Sequence, residues 1–211
     1  MSDSATAGRS SGQGGLPGSK RGQILEVAAV ILCKNRYEDV SLEQVRQATG
    51  LTEDHFQAEF ASMREIAEAI LDLERASMKF AQQVGEDAGV AGPLEALRAA
   101  FRVVGRNIES RPAVRAGIRI ASESREAFPN RRLDPFLTWR SFVVKQLEAA
   151  ARQSLIHPST DVDRAAWLLV SAGLGTKELV RFCGEWDRMS ERLDDTVDCV
   201  LNLMGYSVSD R

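Results

Sequence analysis

The stretch SLEQVRQATGLTEDHFQAEF, residues 41–60, decides the fold of the N-terminal part of the chain. Ser41 and Gln44 have the spacing of a capping box, which predicts a helix start. This helix, about eight residues long, ends at Gly50 as helices often end at Gly, and Thr52 starts another short helix. Two short helices joined by a turn with Gly have the layout of a helix-turn-helix, whose second helix enters the major groove of DNA. Alone, this signal is weak, since helical turns of any kind look like it.

The sequence on both sides of this stretch is helical in pattern as well. Ser19 precedes apolar residues at Ile24, Ala28 and Ile31, which is the spacing of one helix face. Strand-like alternation and hairpin turns of the Asn-Gly or Asp-Gly kind are absent. Further helix starts are marked by caps, or by Pro at the first position, at Ser62 with Glu65, Pro93, Pro112, Asp134 with Pro135, and Thr160 or Asp161. These signals predict an all-α fold of about nine helices.

The last two long helices are predicted at 160–182 and 190–204. Residues 165–175 are apolar nearly all round, which predicts burial on several faces. On the final helix the apolar residues form a single stripe of Leu193, Val197, Val200 and Met204. A hydrophobic face left over after core packing would be buried by a two-fold partner, so these two helices are the expected dimer surface.

Composition limits the class of protein. A net charge of −3 over 211 residues argues against a strongly basic coat for nucleic acid. No apolar stretch is long enough to span a membrane, and no secretory signal is visible. Three widely spaced cysteines (Cys33, Cys183 and Cys199) are typical of reduced thiols in a cytoplasmic protein. Residues 1–19 are rich in Gly, Ser and Ala, and we expect them to form a disordered tail.

Core and cap positions around the helix-turn-helix resemble the N-terminal domain of TetR-family regulators. The matching residues are Arg21, Ile24-Leu25, Ala28-Ala29, Tyr37, Ser41, Val45, Gly50-Leu51-Thr52, Phe56, Phe60 and Ser62. The second half is similar to γ-butyrolactone receptor-like regulators of actinomycetes. That similarity is carried by Val114 to Ala121, by Asp134-Pro135-Phe136 with Trp139, and by Asp161, Asp163, Ala166, Leu169-Val170 and Gly175-Thr176.

The resemblance implies a homodimer with two functional parts. Residues 20–66 would be a three-helix DNA-binding domain, and residues 67–211 a helical domain for ligand binding and dimerisation. A diffusible γ-butyrolactone, butenolide or furan signal would enter the larger domain and release the operator, with no other cofactor. Trp139 occupies the position of the family's pocket Trp.

The candidate DNA-binding residues lie on the first four predicted helices: Lys20, Arg21, Ser41, Arg46, Thr52, Glu53, Asp54, His55, Gln57 and Arg64. The predicted second helix departs from the family at four positions. The family usually has Lys where this chain has Glu53, Gly where it has Asp54, Tyr where it has Gln57 and His where it has Glu59. Carboxylates repel phosphate and release no counterions. At a helix N-terminus they also complement the macrodipole, which would account for Glu53 and Asp54 but not for Glu59.

Charge counting agrees with these departures, because residues 20–66 hold six basic and eight acidic side chains, a net charge of −2. Arg36 also replaces the Gly that usually precedes Tyr37, where a left-handed turn is expected. The domain is expected to fold, and two functions stay open for it. It either binds an operator, or it has lost DNA binding and acts as a signal sink or as a heterodimer partner of a related repressor.

The candidate ligand-binding residues are Glu74, Phe136, Trp139, Val170, Gly173 and Thr176. Glu74 stands where the family has a Gln, and an ionised Glu is costly to bury unpaired. Either Glu74 pairs with an Arg such as Arg111, Arg115 or Arg119, or the ligand is donor-rich or basic, or Glu74 is exposed. Gly173 and Gly175 either leave room for a ligand or allow close helix packing, and Phe142 is expected in the core.

Catalysis has no support in the sequence. No nucleophile elbow, P-loop, dinucleotide fingerprint or metal-ligand cluster is present, and only two histidines occur, His55 and His157. An enzyme or carrier that uses the same pocket is the weakest of the three readings, so we expect no catalytic residue and no metal.

Overall fold

The computed structural model describes residues 18–131 and 133–205, and these residues form nine α-helices and four short 3-10 turns with no strand. This confirms the predicted all-α fold. The helices are α1 Lys20–Leu32, α2 Leu42–Thr49, α3 Glu53–Gln57, α4 Met63–Ala88, α5 Pro93–Ser110, α6 Pro112–Glu123, α7 Pro135–Arg152, α8 Val162–Cys183 and α9 Met189–Leu203. The predicted disordered tail, apart from its last two residues, lies outside the described part of the chain.

Helix starts follow the predicted caps. The Ser19 hydroxyl accepts a hydrogen bond from the Gly22 backbone N–H at 3.0 Å. Ser41 and Gln44 form a complete capping box. At α4 the Ser62 hydroxyl accepts from the Glu65 N–H, but the Glu65 carboxylate accepts from Ala61 instead of Ser62, so the predicted capping box is only half formed. Asp161, the second of the two candidates, caps α8.

The turn between α2 and α3 has the expected geometry, because Gly50 adopts φ 69° and ψ 7°. A residue with a Cβ is strained in this left-handed region. The left-handed turn expected at Arg36 is wrong. Its φ of −69° and ψ of 154° are extended, which any L-residue adopts, so Arg36 replaces Gly here without strain.

Two hydrophobic clusters form the core. The N-terminal cluster holds α1, α2 and α3 together around Phe56 and Phe60, and it also takes in Ala116 and Ile120 of α6. The C-terminal cluster packs α5, α7, α8 and α9, and the predicted stripe on α9 is buried in it. Helix α4 contributes to both clusters, through residues up to Leu71 in the first and from Met78 in the second.

The prediction that residues 165–175 are buried on several faces is wrong. Ala165, Ala166, Leu169 and Val170 are buried, but Trp167, Leu168 and Leu174 are exposed. Leu179 and Phe182, further along α8, are exposed as well, and we call these five exposed apolar residues the α8 face. The sequence pattern was ambiguous because apolar residues face both the core and this uncovered side.

Within residues 18–131 and 133–205, no helix is both long and apolar enough to cross a membrane.

Candidate functional site

A cavity of about 680 Å³ lies in the C-terminal helical bundle. Its apolar wall comes from six helices, α4 to α9, and includes Met78, Phe101, Val104, Ile118, Trp139, Val170 and Leu193. Its polar wall includes Glu74, Ser122, Ser124, Thr138 and Lys177. A mostly apolar cavity with a few convergent polar groups, within the ~300–1,000 Å³ typical of ligand sites, is suited to a small amphipathic molecule.

The structure brings four of the six predicted ligand residues to this cavity: Glu74, Trp139, Val170 and Gly173. Phe136 and Thr176 lie outside its lining. Phe136 instead packs edge-on against Trp167, with ring centroids 4.7 Å apart. The Thr176 hydroxyl is bonded to the Ala172 carbonyl and to the Thr196 hydroxyl, which joins α8 to α9.

Trp139 forms the aromatic floor of the cavity. Its ring lies 5.2 Å from Phe101 and 5.9 Å from Phe142, measured between centroids. Phe142 is buried in the core, as predicted. No described residue accepts a hydrogen bond from the Trp139 indole N–H. This donor is therefore available to an acceptor atom in the cavity.

Glu74 is a half-buried carboxyl that faces the cavity. Burial raises its pKa from the ordinary value near 4.5 to about 7, against the opposing effect of Arg75 and Arg131. None of the expected arginines pairs with it. Arg115 donates to the carbonyls of Ile108 and Glu109, and the Arg119 guanidinium is 2.8 Å from the Glu123 carboxylate.

The cavity also reaches the helix-turn-helix module. Arg36 and Glu38, in the segment between α1 and α2, belong to its lining. The Ser124 hydroxyl, just after α6, donates to the Glu38 carboxylate at 2.9 Å. Arg36 donates to the Glu123 carbonyl at 3.4 Å. The wall of the cavity is thus built from both parts of the chain.

Sequence reasoning missed several lining residues, chiefly Lys177, Phe101, Leu193, Arg36 and Glu38. Lys177 is only 8% exposed, and its ammonium group is paired with the Glu178 carboxylate. No local pattern marks these residues, since a stripe of apolar residues on α5 or α9 is equally consistent with core packing. They meet only because six helices and two connecting segments, between α1 and α2 and between α6 and α7, converge.

The helix-turn-helix face carries more exposed carboxylates than cations. Phe56 anchors α3 in the core, which leaves Glu53, Asp54, His55 and Gln57 on the surface. The Gln57 amide donates to the Glu53 carboxylate at 2.8 Å. Thr52 precedes the helix without a side-chain cap bond. Within α3, therefore, no Lys or Arg is present to meet phosphate.

Three of the predicted phosphate-binding arginines are already bonded within the protein. Arg46 makes two hydrogen bonds to the Glu43 carboxylate, at 2.6 and 2.5 Å. Arg21 donates to the Glu59 carbonyl and lies over the Phe60 ring. Arg64 contacts the Glu68 carboxylate and donates to the Ala127 carbonyl. Lys20 is exposed, and the Ser41 side chain serves as a helix cap.

No group of three or more His, Cys, Asp or Glu that could hold a metal ion occurs among the described residues.

Residues 91–204 match the model of a family described as "Tetracyclin repressor-like, C-terminal domain". No curated protein matches the sequence. Among solved structures, a gamma-butyrolactone receptor described as an ArpA-like protein is 26% identical, covers 83% of this chain and 95% of its own, and has a TM-score of 0.64.

CprB from Streptomyces coelicolor A3(2) is similar as well. It is 29% identical, with 87% of each chain covered and a TM-score of 0.69. A second structure, of CprB in complex with its biological operator sequence, aligns with 26% identity over 88% of this chain and 96% of its own, with a TM-score of 0.63.

The raised pKa of Glu74 makes stability depend on pH. Between pH 4.5 and 7 the folded chain holds this proton more tightly than the unfolded chain, so the free energy of unfolding falls as pH rises. We expect Glu74→Gln to raise the free energy of unfolding at pH 8 by up to about 3 kcal/mol, and by less than about 1 kcal/mol at pH 5. Urea unfolding at both pH values measures this.

Glu126→Gln is the matched control, because Glu126 lines the mouth of the same cavity but is exposed. It should change stability equally little at both pH values. An equal gain for Glu74→Gln at pH 5 and pH 8 would contradict the assignment.

Proposed function

The chain belongs to the tetracyclin repressor-like (TetR) family, since that family's C-terminal domain matches more than half of its length. We therefore propose that it is a transcription regulator that represses by binding operator DNA. We propose further that a small signalling molecule controls this binding. In this proposal residues 20–66 bind DNA and residues 67–211 bind the signal and dimerise. The protein works in the cytoplasm, and no catalytic role is assigned to it.

One observation carries this proposal: the cavity is walled by both modules. Arg36 and Glu38 come from the helix-turn-helix module, and Glu74, Trp139 and Gly173 come from the C-terminal bundle. A ligand shifts an equilibrium only through differential affinity for two states. An occupant that touches both modules has such affinity, because any change in their relative arrangement alters the cavity itself.

The relatives support the kind of ligand and the DNA partner. One solved relative is described as a gamma-butyrolactone receptor and another is seen with its operator. We propose a γ-butyrolactone-like or otherwise amphipathic signal that uses the free Trp139 indole N–H and the apolar wall near Val170. The DNA contacts would come from Lys20, Arg21, Ser41, Arg46, Thr52, Glu53, Asp54, His55, Gln57 and Arg64.

We further propose that the α8 face is the homodimer interface. Trp167, Leu179 and Phe182 are 58%, 67% and 86% exposed. Five large apolar side chains exposed on one helix are more than scattered surface hydrophobics, and such a concentration is typical of protein–protein contacts. A two-fold partner would cover the same face of both chains and set the spacing of the two α3 helices.

A second candidate function has a specific observation in its favour. The exposed side of α3 presents Glu53 and Asp54, and Arg46 is neutralised by Glu43. Counterion release, the main source of DNA affinity, requires cations at the phosphates. In this alternative the chain binds the signal but no operator, and acts as a signal sink or as a heterodimer partner of a related repressor.

Selection from a random DNA duplex library tests the main proposal. With the full chain at low salt, we expect enrichment of a pseudo-palindrome whose half-sites are roughly 10 base pairs apart, or a multiple of that, because a two-fold dimer reads two major grooves on one side of DNA. Fluorescence anisotropy on the enriched duplex gives the affinity. Failure to enrich any sequence would reject operator binding.

Charge reversal on α3 separates the two candidate functions. If the carboxylates have abolished DNA binding, Glu53→Lys with Glu59→His should raise affinity for duplex DNA at least tenfold and steepen its salt dependence. Glu26→Lys is a control that changes charge on α1 instead of α3. Tight wild-type binding that the double substitution leaves unchanged would reject the signal-sink alternative.

Disrupting the α8 face should produce monomers. We expect Phe182→Asp to convert the dimer to a monomer in light scattering coupled to gel filtration, because a carboxylate at the centre of an apolar interface is left unpaired. Phe80→Asp is a matched control, since Phe80 on α4 is 60% exposed and outside this face. A Phe182→Asp protein that remains dimeric would place the interface elsewhere.

A further inference from the structure

Glu74 is held in place by a close approach of two helices. Gly117 of α6 lies directly against the Glu74 side chain, and a Cβ at position 117 would overlap the Glu74 Cβ and lie 3.0 Å from its Cγ. The side chain therefore leaves α4 in a confined space beneath α6. Glu74 belongs to the lining of the cavity. Its position is fixed by backbone packing, as a binding group's position should be.

No described residue forms a hydrogen bond or an ion pair with this carboxyl. The two nearest guanidinium groups act elsewhere. Arg131 is paired with Asp72 and donates to the Glu68 carbonyl at 3.0 Å. Arg75 is exposed to solvent. A half-buried carboxylate that no described residue satisfies is open to a donor supplied by a ligand.

Several other charged lining groups, of which only Lys177 is buried, already have partners. Lys177 is paired with Glu178, Glu38 with Arg36, and Glu123 with Arg119. An anionic ligand would find no free buried cation among the described lining residues. The lining charges that remain, apart from the cap residue Asp134, are exposed: Arg75, Arg125 and Glu126.

The aromatic residues of the cavity also favour a cationic ligand. Phe101 and Trp139 line the cavity with their centroids 5.2 Å apart. Aromatic faces attract cations and repel anions. A half-buried carboxyl together with aromatic rings in one cavity is a combination that favours positive charge.

We propose that the ligand of this cavity is an amphipathic organic cation, whose protonated nitrogen binds the Glu74 carboxylate and whose apolar body fills the space between Phe101, Trp139 and Leu193. The inference rests on the proposed ligand-controlled function and deepens it by naming the charge of the signal. The competing occupant is a neutral lactone whose carbonyl accepts a hydrogen bond from the protonated carboxyl of Glu74. The two differ in whether the charge of Glu74 matters.

Three probes of similar length test the charge preference: 4-phenylbutylamine, 4-phenyl-1-butanol and 4-phenylbutyrate. Each competes with the neutral dye Nile red for the full-length protein at pH 7.5. We expect the amine to displace the dye at a concentration at least tenfold lower than the alcohol, and the carboxylate to be weakest, because hydrogen bonds to charged groups are the strong ones.

Substitutions assign the preference to Glu74. Glu74→Gln keeps the shape but not the charge, and should remove at least tenfold of the amine's advantage while alcohol binding stays within about threefold. Glu148→Gln, on the exposed side of α7 and outside the cavity lining, should leave the order of the three probes unchanged. Equal displacement by amine and alcohol, or an amine preference that survives Glu74→Gln, overturns the proposal.

Binding of Nile red itself separates two negative outcomes: a cavity that binds ligands without preferring cations, and a cavity that is not a ligand site at all. Gly173→Leu places a side chain in the cavity and should weaken dye binding, because the Cβ already meets Leu193 and Phe101 at 3.5 Å. If wild type binds the dye and Gly173→Leu does not, the cavity is a ligand site whatever the probes show. If Gly173→Leu binds the dye equally well, the cavity is not the site, and both the ligand class and the proposed control are rejected.

Discussion

Helix α4 is the constraint on which the rest of the structure depends. It runs without a break from Met63 to Ala88. Its first turns fill the core of the helix-turn-helix module with Ile66, Ile70 and Leu71, and its later turns enter the C-terminal core at Met78 and Ala81. Because one rigid helix is buried at both ends, the two modules cannot change their arrangement without moving this helix or the helices against it.

The cavity lies beside the middle of helix α4. Glu74 is on α4 between the residues of the two cores, and Gly117 lets α6 approach it closely. Helix α6 in turn packs Ala116 and Ile120 into the N-terminal core. An occupant that contacts Glu74 therefore acts on the pair of helices that join the modules. This is a physical route for coupling that requires no contact between the ligand and α3.

The DNA-facing surface illustrates how side-chain pairing changes a charge count. Residues 20–66 hold six cations, but Arg21, Arg46 and Arg64 are each bonded to groups of the same protein. A phosphate must compete with those bonds, so the effective positive charge is smaller than the number of basic residues. The net charge of −2 is unchanged by this pairing, because an ion pair removes one charge of each sign, but fewer cations remain free to contact phosphate.

The sequence by itself determined the helices and their caps, because these depend on neighbours within four residues: Ser19, Ser41 and Asp161 cap helices where local spacing placed them. It also marked Glu74 and Trp139, through their positions in a family pattern. Only the tertiary structure decided which residues share the cavity. Phe136 and Thr176 lie outside the cavity lining, whereas Lys177 and Arg36 belong to it. One side of α8 is exposed to solvent. The reason is that a helical period shows which residues share a face, but not which neighbour covers that face.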